Sequence, residues 1–394
     1  MIENKIEEVP GFSWFGKNIG IKDDTLDFGG ILSDNICNAA GVFTRNTMPG
    51  APVIVGKEHL KDGKLQAVIV NSKNANVDTE AHGISNAKTI CSLVAENCGM
   101  QSEMVLPSST GVIGRRLPMD IITEGCKGLK QDFGKTKQHI WDFAHSIMTT
   151  DTRPKWVTGK VGNAKILGIA KGSGMIEPNM ATMLCYFMSD ADIESVKLHS
   201  ILVNAVNKSF NRISVDTDTS TSDTVVILCN GLAGPVDPEE FETTLSEMAV
   251  FLAKEIARDG EGATKLIELV VSGAQTQEQA LLTAKSVVNS PLVKTAIYGS
   301  DPNWGRFIMA IGKVFQYSVK ISDLKIYFGK GNDRIGLDAE MLERDEVPLE
   351  EISKILHHTE VHIEIVLGNG PCSEKVWGCD LTEEYININA YYTT

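Results

Sequence analysis

Residues 171–190 read KGSGMIEPNMATMLCYFMSD, and the segment changes character at Thr182. Its first half is rich in Gly, Pro and Asn, which favour loops, whereas residues 182–188 form a short apolar run. A run of this length that follows turn residues predicts a buried strand. The segment therefore predicts a loop that ends at Thr182 and a strand that begins there.

Outside this segment, apolar runs of strand length alternate with amphipathic stretches of helical length. Strands are predicted at LQAVIVNS (65–72), KILGIAKG (165–172), TVVILCNG (224–231) and LIELVVSG (266–273). Helices are predicted at NAKTICSLVAEN (86–97), DIESVKLHSILVNAVNKSF (192–210) and PEEFETTLSEMAVFLAKEIARDG (238–260). The alternation predicts an α/β chain, and no internal repeat or low-complexity linker divides it.

The composition limits the class of protein. With 394 residues, of which 42% are hydrophobic, the chain is long enough for two or three domains. A net charge of −14 argues against a surface for nucleic acid or anionic membrane, because phosphate binding requires clustered Lys and Arg. No stretch reaches the roughly 18 apolar residues of a membrane span, and residues 1–12 fit neither a signal nor a transit peptide. We therefore expect a cytoplasmic protein.

The eight cysteines show no pattern of metal ligands. No CxxC pair occurs, and the pairs Cys91/Cys98 and Cys372/Cys379 have spacings that match no zinc site. In a chain without a signal peptide, such cysteines are typical of buried small hydrophobic residues rather than of a disulfide framework.

His358 and His362 are four residues apart and would share one face of a helix. However, apolar and polar residues alternate in EVHIEI (360–365), which predicts a half-exposed strand instead. We therefore interpret both histidines as solvated, and the sequence predicts no metal site.

Common nucleotide, calcium and hydrolase motifs do not occur. GKGND (329–333) lacks the spaced glycines and the Lys-Ser/Thr ending of a P-loop. DTDTSTSD (216–223) lacks the Gly and Glu that a calcium loop needs at fixed positions, and no GxSxG elbow is present.

Three polar clusters have residue types that suit acyl transfer. The first is PSSTGVIGRRLPMD (107–120), because a Ser/Thr-Gly turn after a strand can point a hydroxyl and a backbone N–H at one spot. The second is the loop with Lys171, Asn179 and Thr182, and the third is ARDGEGATK (257–265), in which Glu261 lies between two glycines. The alternatives are loops whose hydroxyls satisfy their own backbone and a solvated glutamate in a Gly turn.

The polar motifs follow one another in a family's order along nearly the whole chain. They are GVFTRN (41–46), APV (51–53), VNSKNAN (70–76), STGVIGRRLPMD (109–120), IMTTDTRPK (147–155), AKGSGMIEPNMATML (170–184), DTSTSDT (218–224), ARDGEGATK (257–265), DPNWGRFIMAIG (301–312) and YININAYYTT (385–394). In this order they closely resemble the glutamate N-acetyltransferases, also called ornithine acetyltransferases, of arginine biosynthesis.

The resemblance implies a fold and a processing step. The fold is an α/β layered sandwich of helices and sheets, in a self-processing enzyme with an N-terminal threonine nucleophile of the ornithine acetyltransferase/aminopeptidase type. The precursor cuts itself between the Ala and Thr of NMATML, here Ala181 and Thr182. The products are an alpha chain of residues 1–181 and a beta chain of residues 182–394.

The chemistry of the residues supports this cleavage independently. The Thr182 hydroxyl can attack the carbonyl of Ala181, and backbone strain of about 1–3 kcal/mol in such a loop would favour the attack. Hydrolysis of the resulting ester frees an α-amine with a pKa of roughly 7.7–8.0, which suits a general base at neutral pH. A threonine that carries its own base is a nucleophile. The alternative is an inert threonine at an ordinary loop-to-strand junction.

The resemblance also assigns roles to individual residues. Thr182 is the nucleophile that takes the acetyl group, and Thr110 with the Gly111 N–H matches the oxyanion-hole pair. The substrate-contacting positions are Thr149, Lys171, Thr182, Glu261, Asn389 and Thr394. We expect Lys171 to pair with a substrate carboxylate and Glu261 with the ammonium end of ornithine.

The implied partners are small molecules and the two chains themselves. N-acetylornithine donates the acetyl group, ornithine leaves, and glutamate becomes N-acetylglutamate, with no metal or bound cofactor. The sequence leaves open whether acetyl-CoA is a further co-substrate, and the resemblance implies an α2β2 assembly. Two alternatives are a self-processing amidase or aminopeptidase with water as acceptor, and a binding protein that never cuts.

Overall fold

Strands and helices alternate along the chain in the computed structural model, as the sequence predicts. The structure describes residues 2–77, 80–177, 183–344 and 346–391. The chain divides into two compact units. Unit 1 is formed by Met1–Asn211 and Asp218–Ile256, and unit 2 by Arg212–Thr217 and Ala257–Thr393.

Unit 1 contains a large sheet. Its strands are β1 (Ile2–Glu3), β2 (Phe12–Lys17), β3 (Phe28–Phe43), β4 (Lys64–Asn71), β5 (Val105–Ser109), β6 (Lys155–Val161), β7 (Ala164–Lys171), β8 (Leu184–Asp192) and β10 (Thr224–Pro235). They are joined in the order β1-β6-β7-β8-β10-β3-β4-β5, and β2 pairs with β3. The helices are α1 (Ala51–His59), α2 (Glu80–Cys98), α3 (Met119–Gly125), α4 (Lys137–Ser146), α5 (Ser195–Lys208) and α6 (Pro238–Arg258).

Apolar side chains on both faces of this sheet pack against helices. On one face, Tyr186 of β8 meets Phe143 of α4, with ring centroids 5.8 Å apart. On β4, Val68 belongs to that core whereas Ile69 belongs to a second core with Val94 of α2, since successive side chains of a strand point to opposite faces. Each such buried side chain contributes roughly 1.5–3 kcal/mol. The predicted layered α/β architecture is confirmed.

Unit 2 contains a smaller sheet of β9 (Ile213–Ser214), β11 (Leu266–Ala274), β12 (Lys325–Phe328), β13 (Ile335–Leu337), β14 (Glu360–Val366) and β15 (Cys372–Cys379), in the order β13-β12-β14-β11-β15-β9. Its helices are α7 (Gln277–Val288), α8 (Pro291–Tyr298), α9 (Trp304–Gly312), α10 (Ala339–Arg344), α11 (Leu349–Leu356) and α12 (Glu383–Tyr391). Phe307 of α9 packs edge-on against Phe328 of β12, with ring centroids 5.4 Å apart.

Short 3₁₀ helices occur in both units. They lie at Ser102–Met104, Leu129–Gln131, Phe210–Arg212, Ile321–Asp323 and Gly331–Asp333.

Most local predictions are confirmed. Every strand and helix predicted from an apolar pattern is present, and all eight cysteines are free, with only Cys372 partly exposed. The strand predicted at residues 182–188 begins at Leu184 in the structure, while Thr182 lies outside the described residues. In the described part of the chain, no helix is both long and apolar enough to cross a membrane.

The interpretation of His362 as a solvated side chain is wrong. The residue lies on β14, as the alternation predicts, but β11 pairs with β14 so that Glu268 is directly opposite His362. Its Nδ1 is 3.4 Å from a Glu268 oxygen, and only 19% of its side chain is exposed. His358, in contrast, is exposed.

Candidate active site

In unit 1, three predicted site residues meet at one amine. Lys171, the last residue of β7, donates a hydrogen bond from Nζ to Thr149 Oγ1 at 2.9 Å and another to Thr110 Oγ1 at 3.2 Å. Only 6% of its side chain is exposed. Because the ammonium group is largely removed from water, its interaction with an anion is stronger than it would be at the surface.

Thr110 and Gly111 form a tight turn after β5. The Thr110 amide donates to Asn71 O at 3.1 Å, which holds the turn against the end of the neighbouring strand β4. Gly111 has φ +127°, and a Cβ there would lie 2.2 Å from the carbonyl carbon of Lys73. Glycine is therefore required at this position, both for its conformation and for the close approach of the two backbones.

The turn leaves two donors available. In the residues that the structure describes, the Gly111 amide has no hydrogen-bond acceptor. Thr110 Oγ1 accepts from Lys171, so the hydroxyl hydrogen of Thr110 remains for donation. An amide and a hydroxyl in this arrangement can stabilise a developing oxyanion.

A buried aspartate supports Lys171 and Thr149. Asp151 accepts hydrogen bonds from the Gly172 amide at 2.6 Å, the Thr149 amide at 3.1 Å and Lys155 Nζ at 2.8 Å. Burial opposes its ionisation, but the cations of Lys155 and Lys171 outweigh burial and hold the pKa of Asp151 well below its usual range. Asp151 is therefore ionised, and it fixes the loops that carry Thr149 and Lys171.

A second lysine, Lys22, lies next to the Thr149 backbone. Lys22 Nζ donates to Met148 O at 2.7 Å, next to Thr149, and to Leu26 O at 3.1 Å. Burial, followed by repulsion from Lys171, lowers the pKa of Lys22 to about 8.

Sequence reasoning missed Lys22, Asp151 and Lys155. Asp151 and Lys155 lie in the IMTTDTRPK motif, whereas nothing in the sequence singled out Lys22.

Lys171 and Leu184, which flank the predicted cleavage site in the sequence, lie on neighbouring strands of this sheet. Lys171 of β7 is opposite Leu184 of β8, and Leu184 is opposite Thr224 of β10. The Thr224 amide donates to Met183 O at 3.1 Å, so the backbone is held in place up to Met183. The predicted nucleophile Thr182, together with Ala181 and Asn179, lies outside the described residues.

In unit 2, two predicted substrate-contacting residues form one hydrogen bond. Asn389 Nδ2, on the exposed side of α12, donates to Glu261 Oε2 at 2.7 Å. The turn that carries Glu261 is closely packed, since a Cβ on Gly262 would lie 2.5 Å from Tyr385 N. Glu261 is thus a partly buried residue with a defined partner rather than a free turn residue. Thr394 lies outside the described residues.

One cluster in unit 2 has metal-ligand residue types. Atoms of Glu268, Glu360 and His362 lie within 4.8 Å of one another. Lys330 Nζ is 3.2 Å from Glu268, and Arg258 donates to Glu360 at 2.8 Å. Because these carboxylates already face protein cations, the cluster favours an ion-pair network.

The family model described as the ArgJ family matches residues 13–394. The chain belongs to the ArgJ family. The arginine biosynthesis bifunctional protein ArgJ 2 of Clostridium acetobutylicum is 49% identical over 97% of this chain and 97% of its own length. A protein of the same name from Nostoc sp. is 47% identical over 98% of this chain and 97% of its own length. The glutamate N-acetyltransferase Oat2 of Streptomyces clavuligerus is 41% identical over 98% of each chain. The resemblance inferred from the sequence motifs is therefore confirmed.

Proposed function

We propose that this ArgJ-family chain is a glutamate N-acetyltransferase of arginine biosynthesis, which moves the acetyl group from N2-acetyl-L-ornithine to L-glutamate. One observation carries the proposal: a buried Lys171 ammonium lies beside the Thr110–Gly111 turn, whose amide and hydroxyl are available as donors. This arrangement combines a carboxylate anchor with an oxyanion hole. The similarity to a relative named glutamate N-acetyltransferase supports the same reaction.

The enzyme first matures by cutting itself. Thr182 Oγ attacks the carbonyl carbon of Ala181, the peptide nitrogen leaves, and water hydrolyses the ester. The chains 1–181 and 182–394 result, which is a chemical division and not the division into units 1 and 2. The new α-amine of Thr182 then serves as the general base for its own hydroxyl.

Acetyl transfer follows in two halves. Thr182 Oγ attacks the acetyl carbonyl of N-acetylornithine, and the Gly111 amide and Thr110 hydroxyl stabilise the tetrahedral oxyanion. Removing one donor of this kind typically slows such a reaction about 100- to 1000-fold. The α-ammonium group of Thr182 gives its proton to the α-nitrogen of ornithine, which then leaves. The amine of glutamate then attacks the acetyl-threonine, and the same groups act in reverse order.

The acceptor and donor can be tested directly. Purified protein incubated with N-acetylornithine and glutamate should release ornithine and N-acetylglutamate in equal amounts. Release of ornithine with acetate, and without N-acetylglutamate, would instead identify an amidase that uses water. Replacing N-acetylornithine with acetyl-CoA tests whether acetyl-CoA is a further acetyl donor.

We propose that the mature enzyme is a cytoplasmic α2β2 assembly, which sedimentation of the processed protein would test.

Lys171→Ala should raise the KM for both N-acetylornithine and glutamate, because both substrates carry an α-carboxylate that the Lys171 ammonium would bind. Losing a charge-assisted hydrogen bond of about 1.5–3 kcal/mol corresponds to a rise of roughly 10- to 150-fold. Steady-state kinetics with each substrate varied in turn would measure it. Lys165→Ala, on the same strand but with 37% of its side chain exposed, is the control. Unchanged KM values for Lys171→Ala would show that Lys171 does not bind the substrate carboxylate.

Glu261→Gln should discriminate between the two substrates. The change keeps the shape of the side chain and its hydrogen bond with Asn389 but removes the charge that would pair with the ammonium group of the ornithine side chain. We expect the KM for N-acetylornithine to rise about tenfold or more, and the KM for glutamate to change much less. Glu384→Gln, an exposed residue on α12, is the matched control. Equal effects on both substrates would contradict the assignment.

A further inference from the structure

Lys73, two residues after β4, contacts the Thr110–Gly111 turn through its backbone. The Val112 amide donates to Lys73 O at 2.9 Å, and a Cβ on Gly111 would lie 2.2 Å from the Lys73 carbonyl carbon. The ammonium group of an extended lysine side chain is roughly 6 Å from its own Cα. The Lys73 ammonium group therefore lies within about 12 Å of the Gly111 amide, the proposed oxyanion donor.

The backbone of Lys73 has a conformation that favours glycine. Its φ is +79°, in the left-handed region where a side chain costs conformational energy. Asn76, in the same loop, also has a positive φ of +52°, but asparagine tolerates this region far better than lysine does. A strained residue beside a functional site points to a role for its side chain.

The Lys73 side chain is partly buried, and its charge is unpaired. In the part of the chain that the structure describes, its ammonium group has no hydrogen bond, ion pair or aromatic contact. The neighbouring lysines differ, because Lys22 donates to two carbonyls and Lys171 to two hydroxyls. Lys73 thus offers an ammonium group to an anionic ligand beside the catalytic turn.

The region around the turn contains more cations than available anions. Burial lowers the pKa of Lys22, and repulsion from Lys171 and Lys73 lowers it further, so the three ammonium groups lie in one region. The two carboxylates there already have partners, since Asp27 accepts from three backbone amides and Asp151 belongs to a buried ion pair. This excess of positive charge favours a ligand with more than one negative charge.

The two proposed substrates carry opposite charges at the ends of their side chains. Both have an α-carboxylate, for which Lys171 is the proposed partner. The ornithine side chain ends in an ammonium group, for which Glu261 is the proposed partner, whereas the glutamate side chain ends in a carboxylate. Glutamate therefore brings a second anionic group, which neither Lys171 nor Glu261 accommodates.

We propose that Lys73 binds the side-chain carboxylate of glutamate and thereby selects the acceptor, an inference that rests on the proposed acetyl transfer to glutamate. In extended glutamate this carboxylate is roughly 5 Å from the α-amine that attacks the acetyl group. A lysine that contacts the Thr110–Gly111 turn can span that separation. Lys73 transfers no proton and forms no covalent bond, so it acts as a specificity residue.

Lys73→Gly tests the proposal with a change that suits the backbone. Because glycine is favoured at φ +79°, the variant should still be cut and should melt within about 3 °C of the wild type. The KM for glutamate should rise roughly 5- to 50-fold, since a charge-assisted hydrogen bond is lost at a partly exposed position. The KM for N-acetylornithine should stay the same or fall, because its side chain ends in a cation. Steady-state kinetics of the processed protein would measure both constants.

Three further variants test whether the charge of Lys73 is responsible. Lys73→Gln should raise the KM for glutamate about as much as Lys73→Gly does, and Lys73→Arg should restore most of the wild-type value. Arg115→Ala removes an exposed cation from the motif that contains the turn, and it should change neither KM. A larger rise in the KM for glutamate with Arg115→Ala than with Lys73→Gly would overturn the assignment.

The acceptor can also be changed instead of the enzyme. Glutamine has the shape of glutamate but an uncharged side chain, so the wild type should prefer glutamate. Lys73→Gly should reduce this preference by the same factor by which it raises the KM for glutamate. An unchanged preference would show that a different group binds the carboxylate. Equal rises in both substrate KM values, with a melting temperature more than about 10 °C lower, would assign Lys73 a structural role and overturn the proposal.

The outcomes also separate this inference from the function on which it rests. Acetyl transfer to glutamate with the same KM in the wild type and in Lys73→Gly would refute the role of Lys73 and leave the proposed transferase intact. A wild-type protein that releases ornithine and acetate, without N-acetylglutamate, would refute the transferase itself and this inference with it.

Discussion

Thr182→Ala will remain one uncut polypeptide without acetyltransferase activity. The change removes the oxygen that attacks Ala181 and, in the mature enzyme, the atom that carries the acetyl group, so both reactions lose their nucleophile at once. We expect activity to fall by at least about 10⁴-fold, toward the level of binding and oxyanion stabilisation alone. Denaturing gels and the release of ornithine from N-acetylornithine would measure the two effects.

Thr182→Ser is the matched control for this prediction. It retains the hydroxyl, so the serine chain should still be cut and should still transfer acetyl groups, although more slowly. Normal two-fragment processing of the alanine chain, detected by mass spectrometry, would show that a different bond or a different nucleophile is used.

Lys155→Met should destabilise the fold by about 3–5 kcal/mol at pH 7, because it leaves the ionised Asp151 carboxylate without its closest cation. Neither side chain of this ion pair is exposed to water. Urea unfolding would measure the loss. It is best carried out in the uncut Thr182→Ala background, where unfolding does not separate two chains, and the transition of unit 1, which carries both residues, is the one to follow. The double variant Lys155→Met, Asp151→Asn should recover much of the stability, since neither charge then remains unpaired.

The loss should also depend on pH. The folded-state pKa of Asp151 lies below its unfolded value, so its stabilisation is present above the unfolded pKa of about 3.9 and is lost as pH falls through the folded-state pKa. The difference between wild type and Lys155→Met should therefore be full at neutral pH and shrink below about pH 4. A difference that stays constant down to pH 3 would mean that packing of the Lys155 stem, and not its charge, stabilises the fold.

Local features of the fold could be predicted because they depend on neighbouring residues. The apolar run at residues 224–231 and the amphipathic pattern at residues 238–260 each determine their own strand or helix. The motif order along the chain likewise predicted the family. The meeting of Thr110, Thr149 and Lys171 agrees with that prediction, but their roles stay predictions until the variants are assayed.

Long-range pairing could not be predicted. The alternation of its own strand predicts a solvated His362. Its environment is instead set by Glu268, which is distant in sequence and becomes a neighbour only when β11 pairs with β14. The same holds for Lys22, which reaches Met148 across more than a hundred residues. Likewise, nothing in the polar motif DTSTSDT predicts that Asp223 is buried.

β7 pairs antiparallel with β8, from Ile166 opposite Ser189 to Lys171 opposite Leu184. This pairing affects how the protein refolds after cleavage. A cut between these strands severs the covalent link but none of the ladder, so the two pieces stay together as neighbours in one sheet. Once unfolded, however, they would have to find each other by diffusion. Refolding would change from a first-order to a second-order process, and recovery after denaturation would depend on concentration in a way that the first folding of the intact chain did not.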